Sequence, residues 1–146
     1  MKTESVIFSI KPRYAEKIFE GEKKVELRKT RPQRLKEGSF VLVYASSPLS
    51  ILYGIFRVKK IEELPTKKIR NKINKIACVD IDFFDEYYRY SKTCVLIHVG
   101  ETWLLSDFLS TKELSKFQKS FYPPQSFRYA KRNESKFLET TLSKIL

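Results

Sequence analysis

The sequence predicts an α+β domain built around a small β-barrel of five to six strands with flanking helices. Three observations carry this. Short alternating or continuous apolar runs recur along the chain, as strands would. Segments with helical apolar spacing separate them, bounded by Gly, Pro, Ser or Asn. The strands do not recur at the spacing of βαβ units, which argues against a doubly wound parallel sheet. With 146 residues, 42% hydrophobic and 14% aromatic, the chain is sized for one domain, 1–146, with a core of its own.

Val6, Phe8 and Ile10 alternate along a first strand with one buried face. Pro12 opens a helix where its missing N–H costs nothing, Ala15, Ile18 and Phe19 form the apolar stripe, and Gly21 ends it as a left-handed cap. Lys23 to Lys29 reads as the second strand, with Val25 and Leu27 on one face and Lys24, Glu26 and Arg28 on the other. A basic loop, Thr30 to Gly38, leads to a third strand from Ser39 to Ala45. Ser46, Ser47 and Pro48 make a turn, and Ile51 to Val58 is a fourth strand. Gly54 within it marks a bulge or a close backbone approach.

After Pro65, Ile69, Ile73 and Ile76 repeat as one helix face, and a second short helix from Asp80 presents Phe84, Tyr87 and Tyr88. Cys94 to Val99 returns to strand; Glu101 to Leu105 either continues it past Gly100 or begins another. Ser106 opens a helix with Phe108, Leu109 and Leu114 inward, broken by Tyr122, Pro123 and Pro124. Gln125 to Ala130 closes the sheet at an edge. Asn133 caps a C-terminal helical extension, 133–146, with Phe137, Leu138, Thr141, Leu142 and Ile145 on one side.

Charge narrows the function. Lys and Arg number 29 against 17 Asp and Glu, a net +12, and a surplus of that size attracts polyanions. It also describes an ordinary solvated surface. Cys78, Cys94 and His98 are too few and too scattered for a metal site, and two thiols make no disulfide framework. Met1 to Ile10 is too polar and short for a signal peptide, and no run approaches a membrane span. The expectation is a cytoplasmic protein with reduced thiols, no metal, no cofactor and no membrane partner.

The most specific run is GEKKVELR, Gly21 to Arg28. On a strand, Glu26 and Arg28 project together, offering a carboxylate acceptor beside a guanidinium fork. Lining a cleft, that pair complements the edge of a nucleobase; on an exposed edge strand it is an ordinary ion pair. Ser46, after the third strand, is a candidate ligand contact as well as a turn hydroxyl. Lys29, Arg31 and Arg34, with Lys67, Lys68, Arg70, Lys72 and Lys75, are candidates to track phosphates. Tyr44, Trp103, Phe127 and Tyr129 are candidates to stack a base, Trp103 foremost because it is singular and near Gly100, although barrel aromatics are more often core.

The run Val6 to Pro32 resembles the start of an ASCH domain, a PUA-like β-barrel with a Gly-x-Lys-x-x-Glu-x-Arg signature, matched by Gly21, Lys23, Glu26 and Arg28. Val41 to Val58 is similar to that family's next two strands. Tyr122 to Tyr129 resembles the end of a branch labelled as predicted transcriptional regulators. The likeness covers most of residues 4–130. It implies a cleft lined by the signature residues, RNA or nucleotide contact, and in some members a link to translation or transcription. One branch is an amidohydrolase of acylated cytidine that uses a Lys, a Thr and a Glu. Lys23 matches the Lys, Glu26 stands at the Thr position, and the distal Glu has no counterpart beyond Glu86. A ribonuclease activity is also attributed to the family.

Three readings follow. The favoured one is a nucleic-acid-binding module, RNA before DNA, with Lys23, Glu26 and Arg28 around a base. The second is a hydrolase of modified nucleosides or RNA with Lys23 and Glu26 as its acid–base pair. The third is a protein-interaction domain docking through its last helix.

Overall fold

The computed structural model describes residues 4–146; Met1 to Thr3, the start of the stretch read as too polar for a signal peptide, lie outside the described residues. Six strands form one sheet: β1 (Val6–Ile10), β2 (Val25–Arg28), β3 (Phe40–Ala45), β4 (Ile51–Pro65), β5 (Thr93–Leu104) and β6 (Phe127–Tyr129), in the order β2-β5-β4-β3-β1-β6. β1 is parallel to β3, and the other neighbours pair antiparallel. The sheet is a curled half-barrel rather than a closed ring, because β2 and β6 end the order. Curling brings these ends together. Arg28 on β2 donates to Ser126 Oγ, just before β6, at 2.8 Å and to the Ser9 carbonyl on β1 at 3.4 Å. A cleft remains between them.

Both faces of the sheet are covered. Val6, Phe8, Ile10, Val41, Val43 and Ala45 enter one core with α1 (Pro12–Phe19) and α4 (Ile81–Tyr87). Ile7, Leu42, Leu52 and Ile55 enter a second core against Leu109, Leu138 and Leu142. β1 is therefore buried on two faces, not on the one its alternation predicts, and the unbroken apolar run of β3 has the same cause.

The glycines act as expected. Gly21, at φ +84, ends α1. A Cβ on Gly54 would lie 2.3 Å from the Phe19 ring, and the register shifts opposite it between Val43 and Tyr44. β5 runs unbroken through Gly100, where a Cβ would meet the Arg57 carbonyl at 2.8 Å. β4 extends past Val58 because its distal half pairs with β5 as far as Pro65 and Thr93.

Three helices differ from expectation in where they begin or break. The basic helix is broken into α2 (Thr66–Ile69), a 3-10 turn (Arg70–Lys72) and α3 (Ile73–Ala77). Like charges at i,i+3 and i,i+4, such as Lys68 and Lys72, oppose one continuous helix there. Ser106 lies in a 3-10 turn; α5 (Thr111–Gln118) starts at Ser110, whose hydroxyl accepts the Glu113 N–H while Glu113 accepts the Ser110 N–H, both at 3.1 Å. The last helix, α6 (Arg132–Ile145), begins before Asn133, because Glu134 accepts the Lys131 N–H at 2.8 Å and a two-pronged bond from Arg128 at 2.6 and 2.7 Å.

Candidate functional site

The signature residues converge. Lys23 turns inward after the Gly21 cap, fixed by its N–H on the Lys17 carbonyl at 3.0 Å. Its side chain is 2% exposed, donates to the Ala77 carbonyl at 2.7 Å and stands 3.7 Å from Glu26 Oε1. Glu26 and Arg28, each 8% exposed, pair at 2.9 Å between Oε2 and Nη2. The Arg28 guanidinium lies 4.2 Å from the Phe8 ring centre, and its Nε is the one buried side-chain polar atom without a hydrogen bond among the described residues. Tyr88 donates its hydroxyl to the Arg28 carbonyl at 3.0 Å, fixing the end of β2.

These three side chains line a cavity of about 430 Å³ between the two ends of the sheet. Ser9, Ser46, Gln125 and Ser126 line it from the β1–β6 side, and Tyr14, Phe83 and Tyr87 give it an aromatic side. A cleft of this size, with a few convergent polar groups among apolar ones, suits a small planar ligand. Burial lowers the pKa of the Lys23 ammonium, and the Glu26 carboxylate works against that shift. Burial raises the Tyr87 and Tyr88 hydroxyls, so both stay protonated donors.

Glu26 faces two buried basic side chains, so its acceptor capacity is directed inward. Unused hydrogen-bonding capacity in the lining lies at Arg28 Nε and at two further side chains. The Ser46 hydroxyl and the Gln125 amide make no side-chain hydrogen bond among the described residues. Glu26 and Arg28 thus build a charged floor, and Ser46 and Gln125 are lining groups whose hydrogen-bonding atoms stay without a side-chain partner among the described residues.

The other sequence candidates are placed as follows. Trp103 does not line the cavity; it is half-buried against Phe40, at 6.2 Å, in the second core. Tyr44 packs on Phe121, Phe127 on Phe8, and Tyr129 under Arg34, so none of these four rings reaches the cavity. The cavity rings are Tyr14, Phe83, Phe84, Tyr87 and Tyr88, of which Phe84, Tyr87 and Tyr88 stand out in the sequence as the apolar side of a short helix. Lys29 Nζ lies 4.6 Å from the Tyr87 ring centre, at the cavity's edge. Arg31 bonds the Leu35 carbonyl at 3.2 Å and Arg34 pairs with Glu4 at 3.0 Å. Lys67, Lys68, Lys72 and Lys75 are exposed on a segment whose end, Ala77, holds Lys23. Arg70 on that segment is held by Asp85 at 2.7 and 2.9 Å. Glu86 is exposed and outside the cavity lining.

His98 pairs with Glu62 at 2.6 Å, and burial pushes the Cys94 thiol up to about 11. No group of three or more His, Cys, Asp or Glu among the described residues is arranged to hold a metal ion. No helix among them is long and apolar enough to cross a membrane.

A curled sheet with both ends closing on a buried Lys–Glu–Arg floor defines a cleft protein of the kind the signature implies. The chain belongs to the ASCH domain family, whose model matches residues 8–134. Its fold is similar to the crystal structure of an ASCH protein from Zymomonas mobilis: 18% identity, 95% of this chain and 96% of that one covered, TM-score 0.78. A serine-to-alanine variant of that protein gives 17% identity, 94% and 96% coverage, and a TM-score of 0.77. A protein from Enterococcus faecalis V583 is more distant, at 14% identity, 71% and 82% coverage, and a TM-score of 0.52. No curated protein matches the chain.

Proposed function

We propose that this chain binds single-stranded RNA and takes one unpaired base into the cavity. The observation that carries the reading is the 430 Å³ cleft itself, with a buried Lys23–Glu26–Arg28 floor, aromatic sides and a net +12 chain around it. Aromatic surfaces hold bases by stacking, Ser46 and Gln125 supply edge contacts, and surface lysines neutralise phosphates. The whole chain acts as one unit in this reading, with α6 as its C-terminal extension. The setting is cytoplasmic, and the likeness to the branch labelled as transcriptional regulators makes control of transcription or translation the context in which such binding acts.

Fluorescence anisotropy with mixed-sequence single-stranded RNA over a salt series tests this. Affinity falls steeply as salt rises. Lys72→Ala weakens all sequences alike and lowers the salt slope by about one. Ser46→Val flattens the preference among bases. Absence of RNA binding at low salt rejects the reading.

A hydrolytic reading is favoured by one observation, the desolvated Lys23 beside Glu26. Against it, Lys23 is engaged by the Ala77 carbonyl, by Glu26 and by the Tyr14 ring, whose centre is 5.1 Å away. Turnover of acylated cytidine or RNA that Lys23→Ala abolishes would establish that reading over binding alone.

A further inference from the structure

Phe83 and Tyr87 stand one turn apart on α4, their rings 11° from parallel and 5.8 Å between centroids. Phe83 is 36% exposed, whereas its neighbour Phe84 is 2% exposed and belongs to the core. Phe83 also lines the cavity, so the aromatic surface runs from inside the cleft out to solvent. A cation flanks each ring: Lys11 Nζ is 5.6 Å from the Phe83 centre and Lys29 Nζ is 4.6 Å from the Tyr87 centre. Neither lysine makes an ion pair among the described residues, and both are exposed.

We propose that this shelf is a second base subsite, and that the ligand is therefore an internal stretch of single-stranded RNA rather than a free nucleotide. One base enters the cavity, the adjacent base stacks on Phe83, and the flanking phosphates lie by Lys11 and Lys29. The inference rests on the RNA-binding reading of the cavity. The occupant follows from what the shelf offers. Phe83 leaves 36% of its surface in water beside the cleft, and a stacked base covers such apolar surface whatever its identity. The two flanking cations match the phosphate on each side of a stacked nucleotide. A mononucleotide in the cavity meets only the inward part of Phe83, leaving its solvent-facing part uncovered and at least one cation unmatched.

The experiment compares the four ribonucleoside 5′-monophosphates with a mixed-sequence hexaribonucleotide on the full chain, at fixed salt, with thermal melting as a check on folding. The hexamer binds roughly tenfold or more tighter than the best monophosphate, and Phe83→Ala removes about fivefold or more of that advantage. Phe83→Leu keeps apolar bulk without a π-face and shows the same loss. A 2-aminopurine in the hexamer is quenched on binding to the native chain and less so on either variant. A monophosphate that binds as tightly as the hexamer overturns the second subsite while leaving the cavity reading in place. A hexamer advantage that survives both Phe83 variants also overturns it, since phosphates alone then account for the gain. If neither ligand binds, the cavity reading falls and the shelf falls with it.

Discussion

Glu26→Gln isolates the buried carboxylate. The substitution keeps the shape and removes the negative charge between Arg28 Nη2, 2.9 Å away, and Lys23 Nζ, 3.7 Å away. At an effective dielectric of about 20 these attractions are worth roughly 6 and 4 kcal/mol before desolvation is counted. An amide costs less to bury than a carboxylate and keeps part of the hydrogen bonding, so much of that gross loss is offset. Two like charges remain buried without a counter-charge, and removing one partner of a buried pair costs about 3–5 kcal/mol. For a chain of 146 residues that lowers the melting midpoint by roughly 10 °C or more.

Lys23 adds a pH signature. Burial is the largest influence on it and lowers its pKa in the folded chain below the ordinary lysine value of 10.5; Glu26 opposes this. The unfolded chain therefore binds more protons between the two values, and stability rises with pH across that window. Glu26→Gln removes the opposing influence and widens the window, so its deficit is greatest near neutrality and shrinks toward alkaline pH. Urea unfolding near neutrality and at about pH 9.5 measures both effects. Asp85→Asn is the control, because its pair with Arg70 is as short, 2.7 Å, but half-exposed, and its loss leaves the midpoint unchanged. A Glu26→Gln midpoint indistinguishable from that control, or a deficit that grows with pH, refutes the reasoning.

Gly54→Ala places a methyl 2.3 Å from the Phe19 ring and 2.8 Å from the Trp103 carbonyl, and urea unfolding registers a loss of about 1–3 kcal/mol. Glu134→Gln breaks the fork with Arg128 and costs about 2–3 kcal/mol, read by urea unfolding and by faster amide exchange in β6 and the start of α6. Burial pushes the Glu134 carboxyl up, but Arg128 and the Lys131 N–H outweigh it and hold it below 4.5. Its contribution is thus present above that value and lost as pH falls through the lower folded one, so Glu134→Gln has a shallower acid-unfolding profile than the native chain. Trp103→Phe leaves RNA affinity by anisotropy unchanged, because the ring packs away from the cavity.

What was legible in the sequence was local. Gly21, Lys23, Glu26 and Arg28 fall within eight residues, and strand alternation puts Glu26 and Arg28 on one side; it groups Lys24 with them, whereas Lys23 joins them because β2 starts only at Val25. The alternation of β1 marks its strand yet hides that both faces are covered, because the second cover, Leu109, Leu138 and Leu142, lies far along the chain; the unbroken apolar run of β3 carries both faces openly. The rest of the site is non-local. Arg28 meets Ser126 across 98 residues, and no spacing rule reaches that far. Trp103 looked promising as a singular ring near Gly100, but that glycine serves the close approach of β5 to the Arg57 carbonyl. The start of α5 had a readable signal in Ser110-x-x-Glu113, stronger than Ser106. The start of α6 is legible only in part: Glu134 accepts the Lys131 N–H three residues before it, but its other contact is Arg128, reaching it from β6.

That last contact bears on the cleft. β6 has three residues and one strand partner, β1, so few ladder hydrogen bonds hold it. Its position depends on side chains at both ends. Ser126, before its first residue, receives Arg28 from the opposite end of the sheet; Arg128, in its middle, is clamped by Glu134 and also donates to the Tyr122 carbonyl at 2.7 Å. One short strand is thus tied inward to the Lys23–Glu26–Arg28 floor and outward to α6. The family match ends at residue 134, within the first turn of α6, and so just includes the carboxylate that makes the outer tie. Gln125 and Ser126 thus stand between these two ties and β1, where the Ser9 N–H donates to the Ser126 carbonyl at 3.0 Å and the Ser9 hydroxyl donates to the Pro124 carbonyl.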